Sequence, residues 1–221
     1  MRDTEGRAAD EARGPEAVPA AGKGPVPLSD GARSVLVVGA TRVLRPAVRA
    51  LTARGTPVTA VARGAGALAE LAAECGPLVR ALAADAQGPG FARALRDAGG
   101  PDGFGGALVY TPALPAPLAE ELIQGTRVLL LPSRWAAPGA ARADRGATGA
   151  HPSGNPAWTP EELPPATAGS RRLVLGWHSA SGTTRWHTPE EISAAALSLL
   201  DAPAPADAVL GEVRPWSARP A

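Results

Sequence analysis

The sequence predicts a three-layer α/β protein in one domain, a doubly wound parallel sheet between two layers of helices. Two observations predict it. Short apolar, β-branched runs alternate with stretches at helical spacing, and three such pairs in succession imply parallel strands. Strands this apolar must be covered on both faces, as right-handed crossover helices do.

Residues 1–32 mix Ala, Gly, Pro and charge without apolar periodicity, so they bury too little to offset the entropy of ordering and are expected to form a disordered tail. Asp3, Glu5, Asp10, Glu11 and Glu16 interrupt it, and it has no apolar secretory core, so it does not read as a cleaved address. The domain is expected over 33–216, with 217–221 as its C-terminal end. SVLVVGA from Ser34 reads as the first strand, and VLRPAVRALTARG as a helix ending at Gly55. PVTAVAR from Pro57 is the second strand, with a helix from Gly66 to Cys75. LVRALAAD from Leu78 is the third strand, followed by a helix over Pro89 to Ala98. GGALVYTP from Gly105 is the fourth, Ala116 to Gln124 a short helix, and TRVLLLPS from Thr126 the fifth. Residues 136–169 offer little to a core and are expected to form a long surface loop. RRLVLGWH from Arg171 reads as a sixth strand, and TPEEISAAALSLL as a helix that Thr188 caps, with Pro189 at its first position and Glu191 completing a capping box. Ala208 to Val213 reads as a short edge strand before Arg214, Pro215 and Trp216. Without tail and loop, roughly 155 residues remain, with no room for a separate substrate domain. The pattern is that of a Rossmann-like sheet.

Charge and cysteine content narrow the function. The chain has 22 basic and 21 acidic side chains with no basic stripe, so no nucleic-acid partner is expected. The longest apolar runs, such as Val35 to Val38 and Val128 to Leu131, are too short to cross a bilayer. Cys75 is the sole cysteine, which excludes an internal disulfide and a cysteine-based zinc site and fits a reducing, cytoplasmic location. Lys23, in the tail, is the only lysine; the richness in Arg, Ala, Gly and Pro reads as the bias of a GC-rich genome.

The turn after the first strand is Gly39-Ala40-Thr41-Arg42-Val43-Leu44-Arg45. Here the chain resembles the short-chain dehydrogenase/reductase superfamily, whose usual form is G-A/G-T/S-G-x-L/I-G, and the resemblance runs from Ser34 to about Leu200. It implies a bound nicotinamide dinucleotide: a glycine lets the backbone approach the pyrophosphate, and the next helix turns its N-terminal amides on the anion. Gly39, Thr41 and Leu44 match, while Arg42 and Arg45 replace the two later glycines. Such a side chain either obstructs the phosphates or folds aside and pairs with them; the alternative is an empty, structural turn. Arg63 ends the second strand, where a basic residue favours NADP(H) over NAD(H); the plainer reading is a solvated arginine. Asp85 matches the aspartate that in the superfamily reaches toward adenine, or else begins the next turn. Tyr110, Thr111 and Pro112 end the fourth strand along the expected cofactor path without matching the superfamily's Asn-Ala-Gly. A narrower resemblance is to small bacterial short-chain-dehydrogenase-like proteins. It rests on Arg185-Trp186-His187-Thr188-Pro189-Glu190-Glu191-Ile192-Ser193 and on Pro215-Trp216-Ser217-Ala218-Arg219-Pro220.

The superfamily's tyrosine and lysine four residues apart are missing, since the only tyrosine, Tyr110, is followed by Thr-Pro-Ala-Leu. Ser133 matches the serine position after the fifth strand; alone it reads more readily as a strand-end cap than as a catalyst. Tyr110, His178 and His187 are the candidate proton donors. His178 leads because ligands of open α/β sheets lie at the strands' C-terminal edge and imidazole titrates near neutrality. Its plain alternative is loop packing. Arg185 and Trp186 are expected to lock the last helix to the preceding loop, with a substrate-anion role as the alternative for Arg185. No metal site is expected. Three functions stay open: an NADP(H) oxidoreductase acting on a small carbonyl, imine or activated alkene; a non-catalytic dinucleotide-binding or cofactor-free protein; and a lyase, cyclase or isomerase on the same fold. A homodimer is expected only by analogy.

Overall fold

The computed structural model describes residues 33–110, 114–133, 169–204 and 206–221. The tail 1–32, Thr111 and, except for Gly169, the loop expected over 136–169 lie outside the described residues. Seven strands form one all-parallel sheet in the order β3-β2-β1-β4-β5-β6-β9. They are β1 (Val35–Val38), β2 (Val58–Ala62), β3 (Val79–Ala83), β4 (Gly106–Tyr110), β5 (Arg127–Leu131), β6 (Ser170–Leu175) and β9 (Ala208–Leu210). The described helices are α1 (Arg45–Ala53), α2 (Ala65–Cys75), α3 (Phe91–Gly99), α4 (Ala116–Leu122) and α5 (Pro189–Asp201). This is a single-domain Rossmann-like fold.

Strand alternation divides the core in two. Val35 and Val37 of β1 face a layer made by α1, α2 and α5, where Leu44, Leu51, Leu71 and Ile192 are buried. Leu36 and Val38 face the other layer with Phe91 and Leu95 of α3, Phe104, and Leu118 and Leu122 of α4. Burial on both faces is why β1, β4 and β5 read as unbroken apolar runs.

The run RRLVLGWH is not one strand. β6 ends at Leu175, and Trp177–Ala180 (β7) pairs antiparallel with Thr183–Trp186 (β8) in a separate hairpin. Gly176 breaks the run because the chain beyond β9 presses on it: a Cβ there would meet the Glu212 carbonyl oxygen at 2.1 Å. The hairpin turn is Ser181-Gly182, both at positive φ, as a turn that follows the strand twist requires.

α5 starts as its sequence demands. Thr188 Oγ1 accepts from the Glu191 amide, and the Glu191 carboxylate accepts from the Thr188 amide at 2.9 Å. Thr188→Ala is expected to lower stability by about 1 kcal/mol, seen as a lower denaturation midpoint with unchanged slope; an unchanged midpoint would show that the box contributes nothing.

Candidate functional site

The strand order reverses between β1 and β4, and the crevice at such a switch point, outside the strands' C-terminal ends, is where open sheets bind ligands. Gly39 follows β1 there at φ +95°, and a Cβ would stand 3.3 Å from that of Tyr110 at the end of β4. A side chain at Gly39 is thus opposed by backbone angle and neighbour together. The Gly39 and Ala40 amides are tied to the Val61 carbonyl. No backbone hydrogen bond among the described residues uses the amides of Thr41, Arg42, Val43 or Leu44. α1 follows with no side-chain cap and no acidic residue in its first turn. Unclaimed amides and the positive end of a helix together make a cradle for an anion.

Arg45 does not reach into this cradle. Its guanidinium donates to Glu74 of α2 (Nη2–Oε2 2.8 Å), which also pairs with Arg49; Arg49 first and Arg45 next hold the Glu74 carboxyl below its usual range. Arg45 follows neither of the two expectations in full: it folds aside, but pairs with a carboxylate of the protein instead of standing ready for a phosphate. Arg42 is exposed and has no ion pair among the described residues, and so is Arg63, just past the end of β2. Leu44 is fully buried, so its side chain belongs to the core. Asp85 follows β3; its Oδ1 accepts from the Gln87 amide at 3.1 Å and its carbonyl from Gly88, so it shapes the turn, with its side chain still exposed.

Tyr110 is half-buried and lies opposite Leu130 of β5, which places Ser133, two residues past β5, at the neighbouring strand end. Gly39, Tyr110 and Ser133 thus stand at three adjacent strand ends. His178 does not lie at a parallel strand's end, as the sequence suggested, but on β7 opposite Arg185. Successive strand residues face opposite ways, so His178 shares a face with His187, ring centroids 6.1 Å apart, while Trp177 turns to Trp216. No hydrogen bond among the described residues joins His178 to Ser133 or Tyr110.

Glu191 of α5 accepts from Arg185 at 2.8 and 2.7 Å and lies 3.2 Å from His187 Nδ1. Arg185 foremost, then the Thr188 amide, keeps this carboxyl far below its usual range. Arg185 therefore ties the hairpin to α5, and its guanidinium is committed to Glu191. Sequence reasoning missed the hairpin, although the Ser-Gly dipeptide inside an apolar-polar alternation was its signal. Among the described residues no cluster of three His, Cys, Asp or Glu gathers to hold a metal, and no helix is long and apolar enough to cross a membrane.

No family model matches the chain, and no curated protein does. Solved structures of short-chain dehydrogenase/reductase type share its fold. One is YwfH, an NADPH-dependent reductase involved in bacilysin biosynthesis: 12% identical, TM-score 0.56, covering 81% of this chain and 99% of that one. Another is a short-chain dehydrogenase/reductase of glucose/ribitol dehydrogenase type from Brucella melitensis, 13% identical with TM-score 0.55, covering 81% and 95%. A carbonyl reductase from Pseudomonas aeruginosa PAO1 in complex with NADP is 16% identical with TM-score 0.52, covering 81% and 96%.

Proposed function

We propose that the protein is an NADP(H)-dependent oxidoreductase that acts on a small carbonyl, imine or activated alkene without a tyrosine-lysine pair. The observation that carries this reading is the cradle at the end of β1: free amides, an uncapped helix and the two unpaired guanidinium groups of Arg42 and Arg63. These residues fit a dinucleotide. The amides of Thr41 to Leu44 would hold its diphosphate, Arg42 and Arg63 the additional phosphate that distinguishes NADP from NAD, and Asp85 the adenine end. A bound reduced nicotinamide supplies hydride at this edge. Ser133 donates a hydrogen bond that orients the substrate oxygen or nitrogen, and Tyr110, one strand away, is the nearer of the proton donors now that His178 lies on the hairpin. The similarity to a carbonyl reductase bound to NADP and to an NADPH-dependent reductase supports the same reading.

A second reading, a dinucleotide binder that catalyses nothing, is favoured by one observation: the only tyrosine, Tyr110, has no lysine four positions after it, Lys23 being the sole lysine of the sequence. Titration with NADPH and NADH, followed by nicotinamide fluorescence, tests both. Saturation by NADPH at concentrations at least tenfold below those for NADH is expected, and no saturable signal with either would remove both readings. Oxidation of bound NADPH by members of a carbonyl and imine panel then separates enzyme from binder.

A further inference from the structure

We infer that Ser193 of α5 is a positioning residue for the dinucleotide: it fixes the Val43–Leu44 peptide so that the Leu44 amide is held ready for the diphosphate. The inference rests on the reading above, which puts the diphosphate on the amides of Thr41 to Leu44. Ser193 is 1% exposed and is the one polar side chain among the buried residues of α5, beside Ile192 and Ala196. A hydroxyl is costly to bury unless it is bonded. A serine inside a helix ordinarily bonds a carbonyl one turn back in its own helix. This one donates instead to the Val43 carbonyl at 3.0 Å, 150 positions earlier in the chain.

The bond falls on a peptide that α1 leaves loose. The ladder of α1 begins at the Leu44 carbonyl, which accepts from the Val48 amide, and the Arg42 carbonyl accepts from Arg45. The Val43 carbonyl between them accepts from no backbone amide among the described residues. The peptide is trans, so its C=O and N–H point in opposite directions. A carbonyl drawn to α5 therefore turns the Leu44 N–H away from α5, and no backbone bond takes it up. Ser193 is itself held in place. Two residues before it, Glu191 accepts from the Thr188 amide and from Arg185 of β8. A donor fixed before the ligand arrives binds it more tightly than one that has to be ordered on binding.

The test uses the full chain. Ser193→Ala is expected to raise the dissociation constants for NADPH and NADH about fivefold each, because both carry the diphosphate, and to leave their ratio unchanged. Leu95→Val, a truncation in the core on the other face of the sheet, is the control for lost stability. It is expected to lower the denaturation midpoint and to keep both constants within about twofold of the parent's. In NMR spectra of the isotope-labelled chain, inorganic pyrophosphate is expected to shift the Leu44 amide resonance, and in Ser193→Ala to shift it less than half as far. Undiminished binding of both cofactors in Ser193→Ala, equal weakening in Leu95→Val, weakening of NADPH alone, or an unchanged Leu44 shift overturns the proposal. The two readings fail separately. A pyrophosphate shift that depends on Ser193, without binding of either cofactor, removes the dinucleotide and leaves Ser193 its role. Cofactor binding that ignores the loss of the hydroxyl does the reverse, and a parent chain that binds neither cofactor nor pyrophosphate removes both.

Discussion

Replacing both Arg42 and Arg63 by alanine is expected to raise the dissociation constant for NADPH at least 100-fold and to change that for NADH less than threefold. Each guanidinium is exposed, at neighbouring strand ends, with no carboxylate among the described residues to satisfy it. A hydrogen bond to a charged group contributes about 1.5–3 kcal/mol, and losing two such interactions, partly screened by solvent, is of the order of the roughly 2.7 kcal/mol that 100-fold represents. NADH carries no phosphate at that position, so nothing is lost with it. Titrations of the double variant with both cofactors, read by nicotinamide fluorescence, check the difference. Equal weakening of the two would place the arginines on the shared diphosphate, and no weakening of either would take them out of the site. Raising the salt concentration should weaken NADPH more than NADH for the same reason.

The second large effect concerns the hairpin. Trp177 is fully buried and packs edge-on against Trp186 at 6.3 Å and against Trp216 at 6.0 Å. It joins three segments distant in sequence: the hairpin, the end of β6 and the C-terminal fold-back. Trp177→Ala is expected to cost about 3–5 kcal/mol, a fall of about 6–20 °C in Tm for a chain of this size. Its indole Nε1 has no hydrogen-bond partner among the described residues, so Trp177→Phe gives up contact area and no bond. That variant is expected to cost clearly less than the alanine one, because the ring that remains leaves a smaller cavity. Thermal and denaturant unfolding of both variants check this. A phenylalanine variant as unstable as the alanine one would mean that the indole nitrogen is bonded after all.

The parallel core was legible in the sequence because its signals are local. Each βα pair announces itself by a β-branched run, a turn and a helical spacing within about twenty residues, and the capping box of α5 occupies four consecutive positions. Arg42, Arg63, Asp85, Tyr110 and Ser133 were equally readable as strand-end residues, because a strand's last residue marks the sheet edge wherever the strand sits. His178 was misplaced for the converse reason. Nothing within GWH tells a strand that continues from one that breaks, and the break at Gly176 is imposed by Glu212, thirty-six positions later.

The alternation of strands and helices, the parallel sense of the sheet and the glycine turn at Gly39 follow from residues that are neighbours in the chain, and the sequence alone predicted them, whereas the order of the strands and the faces they bury came from the tertiary structure. Which arginines are free, and where the C-terminal segment lies, was decided only by the tertiary structure. Arg45 looks no different from Arg42 in the turn, yet α2 brings Glu74 to one and nothing to the other. Arg185 is spent on Glu191, while Arg42 and Arg63 meet no carboxylate among the described residues. Charges pair with whatever the packed chain places within a few ångströms, and that distance is set by the whole fold rather than by the residues on either side.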